Sequence, residues 1–161
     1  VVVVREDNHV TESTKYGPVV VGVDGSEVSQ KATAYAFREA QARGAALIAV
    51  HTWMDMQVQA SLAGLSAAQS EWADIEKEQS ELLAENLKEP REEYPDVEVK
   101  QLIARDRPVS ALTEAAEGAQ LLVVGSHGRG GFKGMLLGST SRALLQSAPC
   151  PMMVVRPDED N

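Results

Sequence analysis

The chain has 161 residues, 43% of them hydrophobic and 24% charged, the profile of a single globular domain with one core. Its net charge of −9 argues against non-specific binding to nucleic acid or anionic membranes, which relies on many Lys and Arg contacts to phosphate. The lone cysteine, Cys150, rules out an intramolecular disulfide and a cysteine metal centre, and no apolar run approaches the roughly 18 residues of a membrane helix.

Aromatic residues make up only 4% of the chain, so the core is expected from Val, Leu, Ile, Ala and Met. Residues 1–4 are a bare run of valines, and a polar stretch follows that reads as linker. Residues 19–24, VVVGVD, form a short continuous apolar run ending in turn residues, which predicts a buried parallel strand. Gly22 inside that run marks a place where something approaches the backbone closely. Ser29 is read as the cap of a helix running to about Arg43, with Gly44 as its stop and Ala36, Phe37 and Ala40 as its buried stripe.

Residues 45–51, AALIAVH, make a second buried strand, and an apolar but aperiodic connection follows it. Ser66 is expected to open a long helix on which Trp72, Ile75, Leu82, Leu83 and Leu87 follow helical spacing, with Pro90 ending or kinking it. Residues 97–103 give a third strand. Pro108 begins a helix reaching Glu117, and residues 121–125 form a fourth strand. A helix from Ser139 to about Ser147 and a last strand at 152–156 complete the chain, and Cys150 is expected to be a small buried hydrophobe. The order βαβαβαβαβ specifies an α/β, doubly wound parallel sheet of five strands with right-handed crossovers and helices on both faces.

The densest signal lies at residues 123–141, VVGSHGRGGFKGMLLGSTS, where a strand end runs into a glycine-rich loop and then into a helix start. Gly125, Gly128, Gly130 and Gly131 are expected to free the backbone for positive φ and to turn its N–H groups towards an anion. Gly138, Ser139 and Thr140 open the helix, whose first N–H groups and positive dipole end favour phosphate. The spacing is neither a Walker loop nor a dinucleotide fingerprint, which from Gly128 and Gly130 would need glycine at Lys133. It is G-x-x-G, nine residues, then G-S, at Gly125, Gly128, Gly138 and Ser139. Residues 118–157 contain no Asp or Glu but carry Arg129, Lys133, Arg142 and Arg156, a locally basic region suited to a small anionic ligand.

With SAPCPMMVVRP after it and VVVGVDGSE well before it, this loop resembles the universal stress protein family, whose ATP-binding members carry that spacing; the likeness spans about residues 19–157. The resemblance implies an adenine nucleotide alpha-hydrolase-like fold with strand order 3-2-1-4-5, placing the reversal of winding between the first and fourth strands. Ligands bind beyond the carboxyl ends of the strands at such a reversal, so Asp24 is expected to face the glycine loop. Asp24 is either an Asx turn with Ser26 or a hydrogen-bond partner of ribose or nucleobase that also helps a phosphate-held metal. Gly22 and Val50 are expected at the adenine, although Val50 equally suits plain core. Gly125, Ser126, His127, Gly128, Arg129, Gly130 and Gly131 are expected to wrap ribose and triphosphate mostly by main-chain N–H groups, with hydroxyls added by Ser139 and Thr140. Gln120 and Arg107 depart from the family pattern, which usually has acidic residues there.

The function implied is an ATP-binding regulatory stress-response module, with Mg²⁺ or Mn²⁺ carried on the phosphates, acting through assembly state or partner affinity. The alternatives are a slow ATPase or self-phosphorylating enzyme using Ser126, Ser139 or Thr140, and a nucleotide-free interaction protein on the same fold. No Walker lysine, pair of metal-holding acids or water activator for efficient phosphoryl transfer is visible. A reducing cytoplasm is the expected compartment, since no signal-peptide pattern is visible. Finally, VVVVRED at 1–7 echoes MMVVRPD at 152–158. Residues 1–17 are therefore read as a remnant strand and linker from a preceding domain, 18–157 as the domain itself and 158–161 as an acidic tail. The remnant is expected to pair antiparallel with residues 152–155, within this chain or in a homodimer, as a tandem domain would in a pseudo-dimer.

Overall fold

The computed structural model describes residues 1–5, 14–53, 69–128 and 136–158. The described elements are β1 (Val2–Val3), a 3₁₀ turn at Thr14–Tyr16, β2 (Val19–Gly22), α1 (Glu27–Arg43), β3 (Leu47–Thr52), α2 (Gln69–Glu93), β4 (Val99–Ala104), α3 (Pro108–Ala115), β5 (Leu121–Gly125), α4 (Ser139–Ser147) and β6 (Met152–Val155). They form one sheet in the order β1-β6-β5-β2-β3-β4. The five strands from β2 to β6 run parallel, in the order that the sequence resemblance implies, and β1 adds a sixth, antiparallel strand. In β1, Val2 pairs with Met153 and Val3 with Met152, and the Val154 N–H donates to the Val1 carbonyl at 2.8 Å. The leading valines therefore fold back on their own chain.

The continuous apolar runs of β2 and β5 arise because both sheet faces are covered. Side chains alternate across each strand. Val19, Val21, Leu47, Ala49, Leu121 and Val123 pack with Phe37 of α1 and Leu83 and Leu87 of α2. Val20, Val50, Leu122 and Val124 pack on the other face with Leu112 of α3 and Leu144 of α4. Cys150 is buried in that second layer, and the burial pushes its thiol up to about 11, so it behaves as an inert hydrophobe.

Several local expectations change. Ser26, not Ser29, caps α1: its Oγ accepts the Ser29 N–H at 3.2 Å. The turn that permits this is made by Gly25, at φ 80°. Gly44 ends the helix in the left-handed conformation as expected, with φ 60°. The long helix passes through Pro90 and ends at Glu93, because a missing N–H so near the end removes a single bond from the last turn. Leu82 lies on its solvent side, 48% exposed, while Leu83 and Leu87 are buried. The start expected at Ser66 lies outside the described residues. Helix α3 stops at Ala115, two residues early, and Gly118 at φ 75° turns the chain towards β5. Gln120 joins two strand starts, its Nε2 donating to the Gly17 carbonyl at 2.7 Å and its N–H to the Pro18 carbonyl at 2.9 Å.

Candidate functional site

The winding reverses between β2 and β5, which pair in parallel from Val19↔Leu121 to Val21↔Val123. Two loops leave the carboxyl edge there, and their first residues meet. A Cβ added to Gly128 would lie 3.0 Å from Asp24 Oδ2, so the aspartate does face the glycine loop. The other carboxylate oxygen is already committed: Oδ1 accepts the Ser26 N–H at 2.8 Å. The turn with Ser26 thus uses one oxygen of Asp24, and the other faces Gly128. The Asp24 N–H in turn donates to Ser29 Oγ at 3.0 Å, which gives Ser29 a use other than the cap.

The β5 loop is held from three sides. The Ser126 N–H donates to the Val155 carbonyl at 2.7 Å, the Ser126 carbonyl accepts the Gly138 N–H at 2.6 Å, and Ser126 is fully buried. Its main chain is thereby a staple between β5, β6 and α4, and its N–H is not available to wrap an anion. Ser141, which the sequence reading did not single out, donates its hydroxyl to the Gly125 carbonyl at 2.7 Å. These bonds fix the start of α4 over the end of β5. His127 is half-buried, with Nδ1 2.9 Å from Ser126 Oγ.

The glycines serve packing more than unusual torsions. Among the described residues, positive φ occurs at Gly25, Gly44 and Gly118, and not at Gly125, Gly128 or Gly138. Gly125 is needed because a Cβ would stand 2.9 Å from Val28 Cγ1 of α1. The close approach read from Gly22 is that of a helix, since a Cβ there would meet Leu112 side-chain atoms at 3.2 and 3.3 Å. Val50 is 2% exposed and packs with Leu112, the plain-core alternative. Arg129, Gly130 and Gly131 lie outside the described residues.

The first turn of α4 has no side-chain cap. Its N-cap is Gly138, which offers no side-chain acceptor, and the first turn carries no acidic residue. Ser139 is exposed and Thr140 half-buried at the first two helical positions. N–H groups of a first turn have no partner within the helix, so this end suits an anion. Across the same edge, His51 at the end of β3 is tied in as well. Its Nδ1 lies 2.7 Å from the Val23 carbonyl and its Nε2 2.8 Å from Gln79 Oε1 of α2. The sequence reading missed this pair, since His51 lies inside the strand it assigned and its partner Gln79 is 28 residues away. Among the described residues no three His, Cys, Asp or Glu side chains converge as a metal cage, and no helix is long and apolar enough to cross a membrane.

Comparison with known proteins bears on family and fold. The model of the "Universal stress protein family" matches residues 15–156. Universal stress protein Rv2005c of Mycobacterium tuberculosis is 47% identical over 156 residues, covering 97% of this chain and 51% of the relative. A universal stress protein of Mycolicibacterium smegmatis is 46% identical over 157 residues, covering 98% and 51%. The chain thus spans about half the length of the curated relatives it matches. Among solved structures, the hypothetical protein MJ0577 superposes with a TM-score of 0.68 at 19% identity, covering 91% of this chain and 99% of that one. A universal stress protein in complex with cAMP superposes with a TM-score of 0.62 at 26% identity, covering 89% and 98%. A third, from Archaeoglobus fulgidus in complex with dAMP, gives 0.57 at 20%, covering 87% and 98%. By sequence along most of its length and by fold, the chain belongs to the universal stress protein family.

Proposed function

We propose that this domain is a regulatory ATP-binding module whose assembly or partner affinity changes with nucleotide occupancy. The observation that carries the reading is the first turn of α4, without a side-chain cap, beside a loop whose Gly128 brings the backbone close to the Asp24 carboxylate. The open N–H groups of α4, with the exposed Ser139 and half-buried Thr140 hydroxyls, receive the phosphates, and Asp24 Oδ2 takes a ribose hydroxyl. Gly125 and Gly128 let Val28 and the Asp24 carboxylate stand close to this loop, and the basic residues Arg129 and Arg142 add attraction for the anion. Mg²⁺ or Mn²⁺ travels on the phosphates. The complexes of family members with cAMP and dAMP support an adenine nucleotide as the ligand class.

The relatives' doubled length supports a second domain as the partner, paired along the β1–β6 edge. A slow self-phosphorylating enzyme is the second reading, favoured by the exposure of Ser139 at the first position of α4; the fully buried Ser126 is a poor acceptor. Mass spectrometry of small molecules that co-purify with the undenatured protein tests the main reading. ATP in stoichiometric amount is expected, and steady phosphate release at about 1 per second or faster would overturn the module in favour of an enzyme.

A further inference from the structure

The chain's only two tryptophans meet outside the crevice. Trp53 follows β3 and Trp72 lies on α2, with ring centroids 5.4 Å apart at an interplanar angle of 41°. The Arg105 guanidinium stands over both rings, 4.6 Å from the Trp72 centroid and 5.7 Å from that of Trp53. Register explains the meeting: Thr52 pairs with Ala104, so Trp53 and Arg105 are the next residues on adjacent strands. With Ala73, Glu76 and Ile103 they line an open cleft of about 340 Å³. Trp53 is buried, 4% exposed, outside the two core clusters, while Trp72 is half-buried, so Trp72 is the indole with surface left to the cleft. The cluster shares the carboxyl edge with Asp24, and neighbouring strands lie roughly 4.8 Å apart, so the cleft opens one strand from the nucleotide crevice.

We propose that this cleft is a second binding site, for the base of a guanine nucleoside. Indole and guanidinium planes both stack on nucleobases. The volume is at the small end of the roughly 300–1,000 Å³ of ligand clefts, which suits one ring system rather than a dinucleotide. The selecting group is Glu76, on the face of α2 that carries Trp72, one turn away. An ionised carboxylate only accepts hydrogen bonds. Guanine presents the adjacent N1–H and N2–H donors that two carboxylate oxygens take together, whereas the corresponding edge of adenine puts an acceptor beside its single amino group. The site does not depend on ATP binding at α4.

Because both tryptophans of the chain line the cleft, intrinsic fluorescence reads this site alone. Guanosine titrated into the full chain should quench it saturably, at least ten-fold more tightly than adenosine. Glu76→Gln, at an exposed position, and Arg105→Ala should each weaken the guanosine midpoint by about ten-fold, the size of a lost stacking or paired hydrogen-bond contact. Gly138→Asp, at the nucleotide crevice, should leave it within two-fold. The proposal is overturned by an absence of saturable quenching, by equal response to adenosine, or by a midpoint that Glu76→Gln leaves unchanged. A midpoint that Gly138→Asp abolishes would also overturn it, since that result puts the ligand in the crevice.

Discussion

Helices α1 and α4 both start at the carboxyl edge of the sheet, after neighbouring strands, and they close their first turns in opposite ways. The start of α1 is satisfied by its own side chains: Ser26 Oγ accepts from the Ser29 N–H, Asp24 Oδ1 from the Ser26 N–H, and Glu27 adds a negative charge. At α4 the cap is a glycine, the first turn has no acid, and the Ser141 hydroxyl turns away to the Gly125 carbonyl. One end carries its own acceptors and negative charge, and the other carries neither. The contrast supports the proposed phosphate site better than glycine content does, because Gly25 and Gly44 also take positive φ and serve only turn and stop.

The largest consequence should be thermal. Saturating MgATP at about 100 times its dissociation constant adds roughly 2.7 kcal/mol. At about 2 to 4 °C per kcal/mol for a domain of this size, that raises the melting midpoint by roughly 5 to 11 °C. Gly128→Val should remove most of the shift, because its Cβ would press on Asp24 Oδ2 while Oδ1 is pinned by Ser26. A full shift surviving in that variant, followed by differential scanning fluorimetry, would separate the loop from the site. Removing the cap at the other helix should act on the fold instead. Ser26→Ala is expected to cost about 1 kcal/mol of stability and so to lower the midpoint by roughly 2 to 4 °C, with the ATP-induced shift retained. Loss of that shift in Ser26→Ala would mean that α1 shares in binding.

The two starts were not equally legible in the sequence. The buried strands could be read because β2 and β5 are covered on both faces and so carry unbroken apolar runs. Gly44 could be read because a stop glycine depends only on its own helix. The choice of Ser26 over Ser29 could not, since it follows from the φ of Gly25 and from the side chain of Asp24. Gly22 and Gly125 announced close approaches but not what approaches. Leu112 and Val28 come from helices far from those glycines in use or in sequence, and only the packing of α3 and α1 on the sheet names them. Ser141 was invisible for a similar reason: its partner, the Gly125 carbonyl, lies 16 residues earlier.

The smallest expected effect on stability belongs to the variant that makes the two starts alike. Gly138 has φ −74° and ψ 169°, a conformation open to any residue, and its Cβ would stand 3.4 Å from the nearest atom. Gly138→Asp should therefore be tolerated, and as a side-chain cap it should gain a few tenths of a kcal/mol without ligand.

The same aspartate puts a fixed negative charge at the start of α4, so isothermal titration of ATP into the wild-type chain and into Gly138→Asp tests the central claim most directly. The account predicts saturable, one-to-one binding to the wild type, weakened at least ten-fold in a variant whose melting midpoint without ligand is unchanged or slightly higher. Equal affinity in the two proteins would contradict it.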